Sequence, residues 1–135
     1  MTEEPTWRDL FQFRHLLFDI TEDKPGRYTT LLIRLGQLGD ELEDIHEKLL
    51  TVIPEEAEDL NSQYKSVIIQ VADTRWQLAY LRFQMGRSEV SEYKAEVEDI
   101  YHMSNHFVPD NSVIKSKVRR YRRLAENLPK PNEQF

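Results

Sequence analysis

The chain has 135 residues but no cysteine, and it contains only four glycines and six prolines. Without cysteine it can form no disulfide, no zinc–thiolate or iron–sulfur site and no thiol nucleophile. No apolar run approaches the roughly 18 residues that a membrane-spanning helix needs. The acidic start, Met-Thr-Glu-Glu-Pro, is followed by no apolar stretch typical of a secretory signal. We therefore expect a cytoplasmic protein.

Signals for β-strands are also lacking, because no stretch of five or more residues alternates between apolar and polar side chains. Prolines and glycines instead divide the sequence into five predicted helices, at about residues 5–21, 27–53, 54–85, 88–107 and 111–128. We predict an all-α fold, an antiparallel helical bundle of four longer helices plus a shorter basic C-terminal helix. Residues 1–128 form its single domain and residues 129–135 a short C-terminal tail.

Three local signals refine these boundaries. Gly36 and Gly39 each disfavour helix by about 1 kcal/mol relative to alanine. The apolar residues of the second predicted helix nevertheless keep their helical spacing across both glycines. We therefore predict one continuous helix rather than a new start at Asp40, with the glycines permitting close approach by a neighbour. Gly86 is expected to stop the third helix, and Ser88 to cap the fourth.

The third predicted helix has apolar residues on two opposite sides. One side is the stripe Tyr64, Val67, Val71, Thr74, Leu78, Leu81 and Met85, and the other is Ile69, Trp76, Tyr80 and Phe83. A helix with two apolar sides must be sandwiched. We expect the second and fourth helices to cover the stripe and the first helix to cover the aromatic side. Any part of that side left open would serve as a homodimer surface.

The net charge of −6 is unevenly distributed, with −11 in residues 1–110 and +5 in residues 111–135. The basic cluster on the last helix consists of Lys115, Lys117, Arg119, Arg120, Arg122 and Arg123. It could contact nucleic-acid phosphates or an acidic protein partner, or it could dock on acidic helices of the same bundle or of a dimer partner. The acidic candidates are Glu41, Asp44 and Glu47 on the second helix and Glu92, Glu96 and Asp99 on the fourth.

Two arginines of the third helix, Arg75 and Arg82, flank the apolar stripe. If this helix is central, their guanidinium groups must find carboxylates or reach solvent. Glu43, Glu47 and Glu96 are the candidate partners. The interpretation we favour is that long side chains reach solvent from the edge of the seam.

Two short motifs resemble the Glu-x-x-His ligand pairs of di-iron carboxylate bundles. They are Glu43-x-x-His46 and Asp99-x-x-His102, but both lie off the inward-facing seams, and no further inward glutamates accompany them. The four glycines form no phosphate-binding loop, and no serine lies in a strand–turn–helix elbow. We therefore predict no catalytic, metal-binding or cofactor-binding residue.

The sequence thus favours a non-catalytic interaction protein, an adaptor, regulator or assembly factor that binds itself or an acidic protein and forms a homodimer. One alternative is a nucleic-acid-associated regulator that uses the basic helix at residues 113–123. A second and weaker alternative is a metal-dependent carboxylate-bundle enzyme. No membrane association is expected.

Overall fold

The regular elements of the molecule are helical throughout residues 6–11 and 26–127, the ranges that the computed structural model describes. A short 3-10 turn is followed by four α-helices, namely η1 (Trp7–Phe11), α1 (Gly26–Thr51), α2 (Pro54–Gln84), α3 (Val90–Phe107) and α4 (Ser112–Asn127). The predicted all-α class is confirmed for these ranges. Of the first predicted helix only the 3-10 turn is described, while residues 12–25 and the predicted tail 129–135 lie outside the described residues.

The boundaries of α2 follow from its terminal residues. Pro54 occupies the first turn, where its missing N–H costs nothing, and two glutamates follow it at the positive end of the helix dipole. At the other end Gly86 has a positive φ of 73°. Its N–H donates to the Phe83 carbonyl, and the N–H of Arg87 donates to the Arg82 carbonyl. This is the hydrogen-bond pattern of a Schellman motif, so the predicted stop at Gly86 is confirmed.

The start of α3 differs from the prediction by one residue. Glu89, and not Ser88, is the N-cap, and its backbone N–H donates to the Glu92 carboxylate at 2.9 Å. A carboxylate three residues into the helix thus satisfies a backbone donor and fixes the boundary. The start of α4 is fixed by Asn111, whose side-chain oxygen accepts hydrogen bonds from the N–H groups of Val113 and Ile114.

The helix α1 runs without a break through both of its internal glycines, as predicted. A Cβ atom added at Gly39 would lie 3.3 Å from the Phe11 ring, whereas one added at Gly36 would meet nothing within 4 Å. The prediction that glycine permits close approach by a neighbour is therefore confirmed at Gly39 and wrong at Gly36.

The helix α2 is central, and it contacts α1, α3, α4 and η1. Its Trp76 is fully buried and stacks on Tyr121 of α4, with ring centroids 5.7 Å apart and an interplanar angle of 24°. The indole N–H donates to the Val97 carbonyl of α3 at 3.1 Å. The aromatic side of α2 is therefore covered by α3 and α4.

This arrangement corrects the expectation for the fourth predicted helix, which is α3. We expected that helix over the aliphatic stripe and the first predicted helix over the aromatic side; residues 12–21 of the first predicted helix lie outside the described residues. In the structure Tyr80 and Phe83 approach Tyr93 of α3 with centroid distances of 6.0 and 5.9 Å, and Ile69 is partly buried. The physical reason is the apolar side of α4, which is buried and requires an apolar surface opposite it.

The two glycines of α1 provide a matched test of this packing. Gly36→Ala should raise the free energy of unfolding by about 1 kcal/mol, since alanine favours helix and the added methyl group meets no neighbour. Gly39→Ala should raise the free energy of unfolding by less, or lower it, because the Phe11 ring must move away from the added methyl group. Urea unfolding of both variants measures the difference, and an equal gain at both positions would show that Phe11 does not pack on Gly39.

Enclosure of the indole within one chain is tested by Trp76→Ala. Because the side chain is fully buried, its removal should lower the free energy of unfolding by about 3–5 kcal/mol. Ile33, which is 59% exposed, supplies the control, and Ile33→Ala should change it by less than about 0.5 kcal/mol. A loss at Trp76 as small as the control would contradict the enclosure.

Candidate functional site

A buried ionic cluster joins η1, α2 and α3. Arg75, only 7% exposed, lies 3.4 Å from the Glu96 carboxylate and donates to the Leu10 carbonyl at 2.9 Å. Arg82 reaches the other oxygen of Glu96 at 3.8 Å. The predicted partner Glu96 is confirmed, but the expectation that Arg75 extends to solvent is wrong. Its side chain instead fixes the 3-10 turn to the core.

Burial shifts the pKa of Arg75 and of the neighbouring Tyr28. Burial lowers the pKa of the Arg75 guanidinium because it disfavours the charged form, while the negative charge of Glu96 acts in the opposite direction. Burial likewise raises the pKa of the Tyr28 hydroxyl, which lies in the field of Arg82 and Glu96. The cluster therefore keeps its charges by mutual pairing inside the chain, as a buried structural tie does.

The two candidate ligand pairs lie on different helices, Glu43 and His46 on α1 and Asp99 and His102 on α3. Glu43 forms an ion pair with Arg8 at 3.1 Å, and His46 lies against the Trp7 ring with centroids 6.3 Å apart. Within the described ranges no group of three or more histidine, aspartate or glutamate side chains is placed to hold a metal ion.

The basic cluster of α4 divides into paired flanks and an unpaired outer face. On the flanks, Lys117 pairs with Asp73 of α2 at 3.3 Å, and Lys115 pairs with Asp110 at 3.2 Å. Arg122 makes two hydrogen bonds of 2.7 Å to Glu98 of α3. Three of the six predicted contact residues thus bind acidic side chains of the same chain. None of these three acids, Asp73, Glu98 and Asp110, was among those considered from the sequence.

The Arg122–Glu98 pair has the shortest distance of these three contacts. The hydrogen bonds from Arg122 hold the pKa of the Glu98 carboxyl below its usual value, and the same bonds raise the pKa of the guanidinium. Arg122 also lies over the Tyr101 ring, 5.1 Å from its centroid. A groove of about 270 Å³ runs beside this pair and is lined by Lys94, Val97, Glu98, Tyr121, Arg122, Ala125 and Glu126.

The outer face of α4 carries the remaining three basic residues. Arg119, Arg120 and Arg123 are exposed, and among residues 6–11 and 26–127 they have no ion-pair partner. The buried residues of α4 point to the opposite side, since Ile114, Val118, Tyr121 and Ala125 are all buried. We call these three residues the arginine crest. The structure separates them from the flanking residues with which the sequence had grouped them.

The end of the α1–α2 pair is a second exposed surface, and the sequence interpretation missed it. From residue 46 to residue 66 no residue is buried. Two large apolar residues are among the exposed ones, Leu50 at 72% and Ile53 at 55%. We call residues 46–66 the hairpin end. A groove of about 560 Å³ runs along it, lined by Lys48, Thr51, Val52, Ile53, Glu56, Asp59, Leu60 and Gln63.

A signal for the hairpin end was present in the sequence. The third predicted helix is much longer than the fourth, and its apolar stripe begins only at Tyr64, ten residues after Pro54. In the structure α2 has 31 residues and α3 has 18. A helix that extends past its neighbours leaves its last turns with fewer residues to pack against.

Comparison with protein-family models, with curated proteins and with solved structures finds no match for this chain. Across the described residues, none of the helices has the length and apolarity required to cross a membrane.

The two kinds of ion pair can be compared directly by mutation. Glu96→Gln leaves Arg75 and Arg82 buried without their carboxylate, so we expect the free energy of unfolding to fall by about 3 kcal/mol. Glu98→Gln removes a pair whose side chains are 43% and 40% exposed, and the loss should not exceed about 1 kcal/mol. Urea unfolding at neutral pH measures both losses.

The stabilisation that the Arg122–Glu98 pair contributes should also depend on pH. Because the pKa of Glu98 is depressed in the folded state, its stabilisation is present above the unfolded value of about 4.3. It is lost as the pH falls through the folded value. The difference in free energy of unfolding between the native chain and Glu98→Gln should therefore disappear in acid. A difference that grows in acid would contradict the pairing.

Proposed function

We propose that this chain is a cytoplasmic, non-catalytic helical-bundle protein that acts through contacts with other protein chains, as an adaptor, regulator or assembly factor. We further propose that one of these partners is a second copy of itself, giving a homodimer. The observation that carries the proposal is the hairpin end, where apolar side chains at the end of α1 and in its connection to α2 are not buried.

The hairpin end supports a binding role on energetic grounds. Full burial of one leucine or isoleucine side chain contributes about 1.5–3 kcal/mol, so Leu50 and Ile53 together offer several kcal/mol to a protein that covers them. Single exposed apolar residues need no explanation, but contiguous ones typically mark an interaction site. Here Val52 and Leu60 line the same groove as Ile53.

We also propose that the bundle is antiparallel. On α1, Arg27 donates to Gln77 and Arg34 donates to Gln70 of α2, so residue numbers rise along one helix as they fall along the other. The same inverse order relates α2 to α3, because Trp76 meets Val97 whereas Phe83 meets Tyr93. An antiparallel order is also the expected result of short connections between successive helices.

The nucleic-acid alternative receives less support from the charges. Of the six residues of the basic cluster, only the three of the arginine crest are free of acidic partners in the described ranges. Proteins with strong electrostatic binding to DNA typically neutralise about 6–10 phosphates. The chain as a whole carries a net charge of −6, which repels a polyanion.

Site-specific photo-crosslinking tests the proposal. A photoreactive amino acid at Leu50, introduced in the cells that make the protein, should give an adduct of discrete mass with another polypeptide. The matched control is Ile33, which lies on the same helix and is 59% exposed, and which should give no such adduct. Adding Ile53→Asp should abolish the Leu50 adduct, because a charge in the groove disfavours an apolar contact. Equal labelling at both positions would contradict the proposal.

A further inference from the structure

We infer that the arginine crest of one copy docks on the hairpin end of a second copy, and that the second copy returns the same contact. This inference rests on the proposed function and names the two surfaces that would form its homodimer. Each surface is exposed, and the two carry opposite charge.

Charge complementarity is the first argument. The hairpin end carries five acidic residues, Glu47, Glu55, Glu56, Glu58 and Asp59, and two lysines, Lys48 and Lys65. Lys48 is already paired with Asp44 at 3.0 Å. The five acids are exposed and have no ion-pair partner among the described residues. The arginine crest supplies the opposite charge on a surface that is likewise unpaired.

Apolar side chains accompany the charges on both surfaces. Val113, 44% exposed, lies seven residues before Arg120, so the two occupy nearly the same side of α4 two turns apart. On the hairpin end Leu50 and Ile53 are the most exposed apolar residues. Contact between these surfaces would therefore bury apolar area as well as pair charges, as a specific interface requires.

The flanking ion pairs of α4 fix the direction of the crest. Asp73 of α2 holds one flank through Lys117, and Glu98 of α3 holds the other through Arg122. With both flanks neutralised inside the chain, the outward arginines are the part of the basic cluster left for an external acidic surface. A rigidly held surface loses less entropy on binding than a mobile one.

Two-fold symmetry doubles the contact. A single set of exposed ion pairs binds weakly, but in a closed two-fold dimer the crest of each copy meets the hairpin end of the other. We therefore expect a dimer that dissociates measurably as salt rises, because the charges lie at the surface.

Charge reversal with complementation tests the inference. In Arg119→Glu/Arg123→Glu the crest becomes acidic, and in Glu56→Lys/Asp59→Lys the hairpin end becomes basic. Sedimentation velocity at high-micromolar concentration should show a dimer for the native chain and a monomer for each variant alone. An equimolar mixture of the two variants should form a heterodimer, because both of its contacts again join opposite charges. Lys94→Glu, an exposed change on α3, should remain dimeric.

Circular dichroism and urea unfolding establish that each variant is folded. If lysine at the start of α2 unfolds the chain, Glu56→Gln/Asp59→Asn replaces it, and this neutral variant should weaken the dimer at least several-fold.

Several results would overturn the inference. A native chain that stays monomeric, a mixture that fails to dimerise, or complexes that grow beyond the dimer would each do so. A monomer that binds a single-stranded RNA or duplex DNA oligonucleotide and loses that binding in Arg119→Glu/Arg123→Glu would assign the crest to nucleic acid instead. A monomeric native chain would also remove the homodimer from the proposed function, but the proposed binding of another protein would survive any of these results if Leu50 still crosslinks to a different polypeptide.

Discussion

The contact on which the rest of the structure depends is the enclosure of Trp76. Its indole stacks on Tyr121 and donates to the Val97 carbonyl, so one side chain sets the positions of both α3 and α4 against α2. With those helices in place, Asp73 and Glu98 meet the two flanks of the basic helix. The exposure of the arginine crest is a consequence of this packing.

Much of the fold could be predicted because its signals are local. Proline and glycine positions determine the ends of α2, and the two apolar sides of that helix correctly indicated a central element. The choice of partner for each side could not be predicted in the same way. The first segment, α3 and α4 all carry apolar residues, and only packing in three dimensions decides between them. The same holds for Arg75, whose burial depends on the carbonyl of Leu10.

The candidate surfaces illustrate the same division. The basic residues of α4 are evident from the sequence, but the pairing of Lys117 and Arg122 depends on Asp73 and Glu98, acids more than 20 positions away. The hairpin end is visible only by comparing the lengths of helices that pack together. Surfaces left over after packing are a property of the assembled bundle, whereas helix boundaries belong to the local chain.

The length of α2 has a consequence for motion. The same helix is fully buried at Trp76 and has no buried residue between Pro54 and Ser66. Local opening is easiest where few apolar contacts oppose it, so backbone amides at the start of α2 should exchange with solvent sooner than those near its middle. A single continuous helix thus spans a gradient from slow to fast hydrogen exchange. Binding of a protein to the hairpin end should therefore slow hydrogen exchange first in the early turns of α2, which are the least protected.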